Sequence, residues 1–116
     1  MAKFETFEDI VAWQKSRILV TDIYQVFRSS KDYSFRDQIQ RAAVSIMNNI
    51  AEGYERKGNK EFAKFLYIAK GSCAEVRSML YLALDLRYIN REEFNNLSEQ
   101  SLVISKMLSS LIKTLC

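Results

Sequence analysis

A chain of 116 residues is the size of one domain. Its 48% hydrophobic and 27% charged residues exclude a disordered chain, and Pro 0 with Gly 3 leaves too few turn residues for a β-sandwich or barrel. His 0 removes the commonest general base and metal ligand, while 17 basic against 14 acidic residues leave +3 at pH 7, compatible with nucleic acid without requiring it.

Apolar spacing resolves four helices. The first is expected after Thr6 as N-cap, with Glu8 and Asp9 in its first turn, where carboxylates favour the helix dipole. Ile10, Trp13, Val20, Tyr24 and Phe27 recur at helical spacing, joined by Leu19, Ile23 and Val26, and the pattern fades near Arg28. The second starts around Ser34 and carries Phe35, Ile39, Ala42, Ala43, Ile46 and Ile50 to Gly53. The third follows Gly58, with Asn59 as N-cap, and carries Phe62, Phe65, Leu66, Ala69, Cys73, Val76, Leu80 and Leu84. The fourth opens on Asn90 and Glu93, spaced as in a capping box. Its Phe94, Leu97, Ser101, Ile104, Leu108, Leu111 and Leu115 alternate by three and four, the spacing of an a/d seam. Short connections between long helices predict an all-α, antiparallel up-down-up-down four-helix bundle, one domain over residues 1–116.

Two helices carry more apolar surface than one core needs. On the second, Val44, Met47, Ala51 and Tyr54 widen the core face to one side. On the third, residues 79–84 are apolar all round, and Ile68, Gly71, Ser78 and Leu82 share the outward side. Large apolar patches on monomers mark interfaces, so Val44, Met47, Ala51, Tyr54, Ile68, Gly71 and Leu82 are candidates for a homo-oligomer contact. A bulky bundle covering its own flanks is the alternative.

No catalytic constellation is legible. Four-helix di-iron sites use Glu and Glu-x-x-His, which a chain without histidine cannot supply, and no Gly-rich phosphate loop is present. No metal or cofactor is therefore expected. Cys73 and Cys116 form no CxxC pair, and Cys73 reads as a core thiol. The start, Met1-Ala2-Lys3-Phe4-Glu5, lacks the apolar stretch of a signal peptide, and no apolar run approaches the ~20 residues of a membrane span. A reducing cytoplasm is the expected location, with no membrane partner.

Two polar features stand out. Along the second helix Gln38, Arg41, Ser45, Asn48, Asn49, Glu52 and Arg56 follow at three- or four-residue steps, serving a solvated face, inter-subunit hydrogen bonds or contacts to RNA. At the junction of helices two and three, Arg56, Lys57, Lys60 and Lys64 make a positive end diluted by Glu55 and Glu61. Arg41, Arg56, Lys57, Lys60 and Lys64 are the candidate nucleic-acid contacts.

Val11-Ala12-Trp13-Gln14, the block RAAVSIMNNIAEG and the run FAKFLYIAKGSCAEVRSML together resemble the four-helix family of 23S rRNA intervening-sequence proteins. These are encoded inside insertions in bacterial large-subunit ribosomal RNA genes and at other loci. The resemblance spans nearly the whole chain, with one departure: Met47 stands where the family often has proline, which should straighten the second helix. It implies a small helical protein rather than an enzyme. It also implies kinship with accessory variability determinant proteins of retroelements, pentameric barrels that bind nucleic acid and a reverse transcriptase. A pentamer is the subunit number the resemblance suggests. The family pattern falls on Arg41, Asn49, Glu52, Gly53 and Arg56, and on Phe65, Gly71, Ser72 and Glu75. The leading expectation is a non-enzymatic, homo-oligomeric, RNA-associated bundle. The alternative is a protein-interaction scaffold that never meets nucleic acid.

Overall fold

A computed structural model describes residues 4–116, and residues 1–3, part of the stretch read above for a signal peptide, lie outside it. A 3₁₀ turn, Phe7–Asp9, leads into α1 (Val11–Val26), α2 (Tyr33–Glu55), α3 (Asn59–Asp85) and α4 (Arg91–Leu115). The contacts between neighbouring helices run in opposite senses. Gly53 meets Phe65 while Ser45 meets Ser72, and Tyr81 meets Phe94 while Cys73 meets Ser101. On α1, Asp22 meets Gln100 while Val11 and Ala12 border Met107 and Leu111, so the helices run up-down-up-down in a bundle of 42 × 21 × 19 Å.

Three helix starts differ from the sequence pattern in instructive ways. Thr6 stands before the 3₁₀ turn rather than α1, because the Asp9 carboxylate takes the Glu5 and Thr6 N–H groups, each at 3.1 Å, and closes that turn first. Ile10 then adopts an extended backbone that sends its side chain into the core, and α1 begins after it. The second helix starts at Tyr33 because Asp32 caps it, accepting the Phe35 N–H at 3.1 Å. Asn59 is not the cap of α3. It is the first helical residue, since Gly58 already offers its carbonyl to the Phe62 N–H at 2.9 Å. The capping box of α4 forms as spaced, with Asn90 accepting from the Glu93 N–H at 2.8 Å and Glu93 from the Asn90 N–H at 2.9 Å.

The core runs the length of the bundle through Leu19, Ile23, Ile39, Ile46, Ile50, Leu66, Leu80, Leu97, Ile104 and Leu108. On α1 the buried stripe is Ala12, Ser16, Leu19 and Ile23, rotated from the one the large residues suggest. Tyr24 is exposed and Trp13 and Val20 are half-buried. Ser16 is fully buried because its hydroxyl donates to the Ala12 carbonyl at 2.7 Å, which removes the penalty of an unpaired polar group. In the last turns of α4, Ile112 is buried while Leu111 and Leu115 are half-buried. A strict heptad seam drifts ~20° per repeat around a straight helix, so the buried position shifts by one residue.

Candidate nucleic-acid and assembly surfaces

The turn between α2 and α3 collects the basic end. Arg56, Lys57, Lys60 and Lys64 are all exposed there. Lys57 holds a left-handed backbone, φ 55°, a conformation glycine enters with less strain, while Gly58 beside it is extended at φ 178°. The four cations are not equivalent. Arg56 pairs with Glu52 at 3.0 Å, and its guanidinium lies 5.1 Å from the centre of the Phe65 ring. Lys57, Lys60 and Lys64 enter neither of the two ion pairs found among the described residues, Arg36–Asp37 and Arg56–Glu52. A hollow of about 580 Å³ opens beside them, with Lys57, Tyr54, Phe62 and Leu115 on its walls. Arg41 stands apart. It is fifteen residues before Arg56 on the same helix, about 22 Å at ~1.5 Å per residue, and borders a shallow hollow with Tyr24, Asp37 and Val44.

One edge of the polar strip of α2, Gln38, Ser45 and Asn49, lies along α3, while Arg41, Asn48 and Glu52 stay exposed. Ser72 and Ser45 share a hydrogen bond of 2.9 Å, and the Asn49 amide donates to both the carbonyl and the hydroxyl of Ser45, at 2.8 and 2.9 Å. Gln38 reaches Glu75 at 3.5 Å near the other end of the seam. Gly53 is buried where the helices come closest. A Cβ built there would lie 2.6 Å from the Cβ of Phe65, so no side chain fits without separating the two helices. The Ser45 edge of the strip is thus spent on the α2–α3 contact.

The candidate assembly residues separate into two groups. Val44, Met47, Ala51 and Tyr54 are half-buried: Val44 borders Tyr24 of α1, Met47 and Ala51 follow it at helical spacing, and Tyr54 lies near Phe62 of α3. Tyr54 is occupied inside the chain: its hydroxyl donates to the Phe4 carbonyl and its ring meets Phe62 edge-on at 5.9 Å. Ile68, Gly71 and Leu82 lie exposed on the outer face of α3, with nothing within 4 Å of a Cβ at Gly71. Tyr67, Tyr81 and Leu86 extend that surface. Tyr67 drew no notice in the sequence pattern, although its three-residue spacing from Lys64 was there to be read.

Cys73 is fully buried, and burial pushes its thiol up to about 11 against the opposing pull of Arg77, Ser101 and Lys70. Such a thiol is a packing group, not a nucleophile. Among the described residues no three His, Cys, Asp or Glu side chains converge in a way that could hold a metal. No described helix is long and apolar enough to cross a membrane.

The model of the 23S rRNA-intervening sequence protein family matches residues 8–110. The chain belongs to that family. A crystallised protein of unknown function from the S23 ribosomal protein family of Bacteroides thetaiotaomicron superposes with a TM-score of 0.82 at 29% identity, covering 88% of this chain and 98% of its own. No curated protein matches. Neither similarity names a catalysed reaction. Several of the residues that the resemblance singled out meet at or near the α2–α3 contact. Gly53 touches Phe65, Asn49 reaches Ser72 through Ser45, Glu52 holds Arg56 over Phe65, and Glu75 bonds Gln38. Arg41 and Gly71 are the exceptions, both exposed.

Proposed function

We propose that this intervening-sequence protein is a non-enzymatic bundle that self-assembles and binds RNA through its basic end. The observation that carries the reading is the set of exposed lysines, Lys57, Lys60 and Lys64, around the start of α3, none of them in an ion pair among the described residues. Free backbone N–H groups and the dipole of a long helix favour anions at the same place. Lys57 strengthens it, since a cation is kept at a backbone position where glycine would relieve strain. Arg56 is already shared between Glu52 and Phe65, so it adds charge more than a free contact. In a homo-oligomer each lysine recurs, and weak phosphate contacts sum through avidity.

Reversing Lys57, Lys60 and Lys64 to Glu together tests it. Binding to a structured RNA should weaken across all sequences, and the slope of log affinity against log salt should flatten by up to ~3, near one per phosphate contact. Helical content should stay the same, because the three side chains lie outside the core. Equal affinity of parent and variant transfers the contact to Arg41, tested by Arg41→Ala. No binding by the parent at low salt overturns the RNA reading and leaves a protein-interaction scaffold.

A further inference from the structure

Resting on that reading, the geometry points to unpaired RNA, with Tyr67 as a stacking platform for a base next to the phosphates held by Lys60 and Lys64. On α3 these three residues follow at steps of four and three, which places them on one outward strip about 10 Å long. All three are exposed, Tyr67 by 59%.

Other exposed tyrosines are already engaged or lie elsewhere. Tyr33 lies under the Arg36 guanidinium at 4.9 Å, Tyr81 packs edge-on against Phe94 at 4.9 Å, and Tyr88 meets Phe35 and bonds Asp32. Tyr24 borders the hollow beside Arg41 and Asp37, remote from the lysines. Tyr67 alone combines a free ring face with adjacent cations: among the described residues it enters no aromatic pair, no cation–π contact and no side-chain hydrogen bond.

The chemistry selects the form of RNA. A paired base keeps its faces stacked inside the helix and offers nothing to a tyrosine ring, whereas a base in a loop or single strand can lie flat on it. Phosphate contacts from Lys60 and Lys64 serve either form equally, so the preference falls on Tyr67. Beyond Tyr67 the same face continues through Gly71, Glu75, Ser78 and Leu82 with no further lysine, so the lysine-and-tyrosine surface is confined to the first turns of α3.

Fluorescence anisotropy with labelled oligoadenylate, alone and annealed to oligouridylate, tests this on the full chain. The parent should prefer the single strand. Tyr67→Ala should weaken single-strand binding by roughly 5- to 100-fold, the worth of one stacked base, while leaving duplex binding and the salt slope unchanged. Tyr67→Phe, which keeps the ring, should bind as the parent does. A parent that prefers the duplex, or a silent Tyr67→Ala beside a lysine-reversal variant that still loses affinity, overturns the stacking role and leaves RNA binding standing. A fall in the assembly mass of Tyr67→Ala by light scattering overturns it as well, since the ring is then an interface group. Absence of binding to either probe by the parent removes the RNA reading and this inference together.

Discussion

Gly53 shows how much a single missing carbon can carry. Its backbone lies so close to Phe65 that an added Cβ would sit 2.6 Å from the Phe65 Cβ, an atom fixed to the α3 backbone and unable to swing away. Gly53→Ala should therefore force α2 and α3 apart and destabilise the fold by ~1–3 kcal/mol, read as a lower urea midpoint at unchanged m-value. The pattern of apolar residues marks Gly53 as a helix end, since periodicity reports which side is buried and nothing about how near the next helix comes. Ser16 is illegible for a related reason: its burial depends on a hydrogen bond to Ala12 that leaves no trace in hydropathy. Cys73, by contrast, was readable from its place among Leu66, Ala69 and Leu80. Its thiol, raised to about 11 by burial, should react slowly with a thiol reagent in the native protein and promptly in denaturant. The exposed Cys116 should react at once, and equal native rates for both would contradict the buried placement.

At the scale of elements, the helices were visible in the sequence and their ends less so. Caps are decided by side chains that compete for the same few N–H groups, and at α1 Asp9 closes a 3₁₀ turn before the α-helix can begin. The α2 cap has a second partner that spacing could not show, because Tyr88 lies beyond α3 and its hydroxyl donates to Asp32 at 2.7 Å. The Tyr88 hydroxyl, then the Phe35 N–H, hold the Asp32 carboxyl below its ordinary 3.8, while the bond to Asp32 raises Tyr88 above its ordinary 10.0. A lowered acid contributes stability that is complete above its unfolded value and lost as pH falls through the folded one. A raised tyrosine contributes stability that is complete below its unfolded value and lost as pH rises through the folded one. Tyr88→Phe should thus lower the melting temperature near neutrality and narrow its gap from the parent in acid below 3.8 and in alkali above 10.0. The helix C-termini offer a cleaner experiment. Arg87 ends α3 at φ 63°, with the Tyr88 N–H donating to the Ala83 carbonyl at 2.8 Å in a Schellman turn, and Lys57 ends α2 at φ 55°. Glycine at either position should raise stability by up to ~1 kcal/mol in urea unfolding. If Lys57 is there for its charge, Lys57→Gly should gain stability and lose RNA affinity, whereas Arg87→Gly gains stability alone.

For the whole molecule, the exposed lysines of α3 gather in its first turns and its exposed large apolar residues lie beyond them. Its first turns carry Lys60, Lys64 and Tyr67; Ile68, Gly71, Tyr81 and Leu82 follow, interspersed with exposed Glu75, Ser78 and Asp85. Ile68 and Leu82 are each nearly half exposed, and open space at Gly71 lets another helix approach. Sequence spacing marked Ile68, Gly71 and Leu82, which are exposed, and joined to them the half-buried Val44, Met47, Ala51 and Tyr54 of α2, of which Tyr54 serves the chain's own packing. Helical wheels drawn one at a time show apolar arcs without showing which arc a neighbour covers. The assembly proposal accordingly rests on the later turns of α3. Light scattering at micromolar concentration should report several times 13.5 kDa. Leu82→Glu would bury a charge in each contact and should drive the assembly toward monomer, because an unpaired carboxylate in an apolar interface opposes the burial that holds it. Its helical circular dichroism should match the parent, since Leu82 lies outside the core. Met47→Glu on α2 separates the two candidate surfaces: if it dissociates the assembly while Leu82→Glu leaves the mass unchanged, the contact belongs to α2. A parent that runs as a monomer removes the assembly from either face, and with it the avidity on which weak lysine contacts would depend.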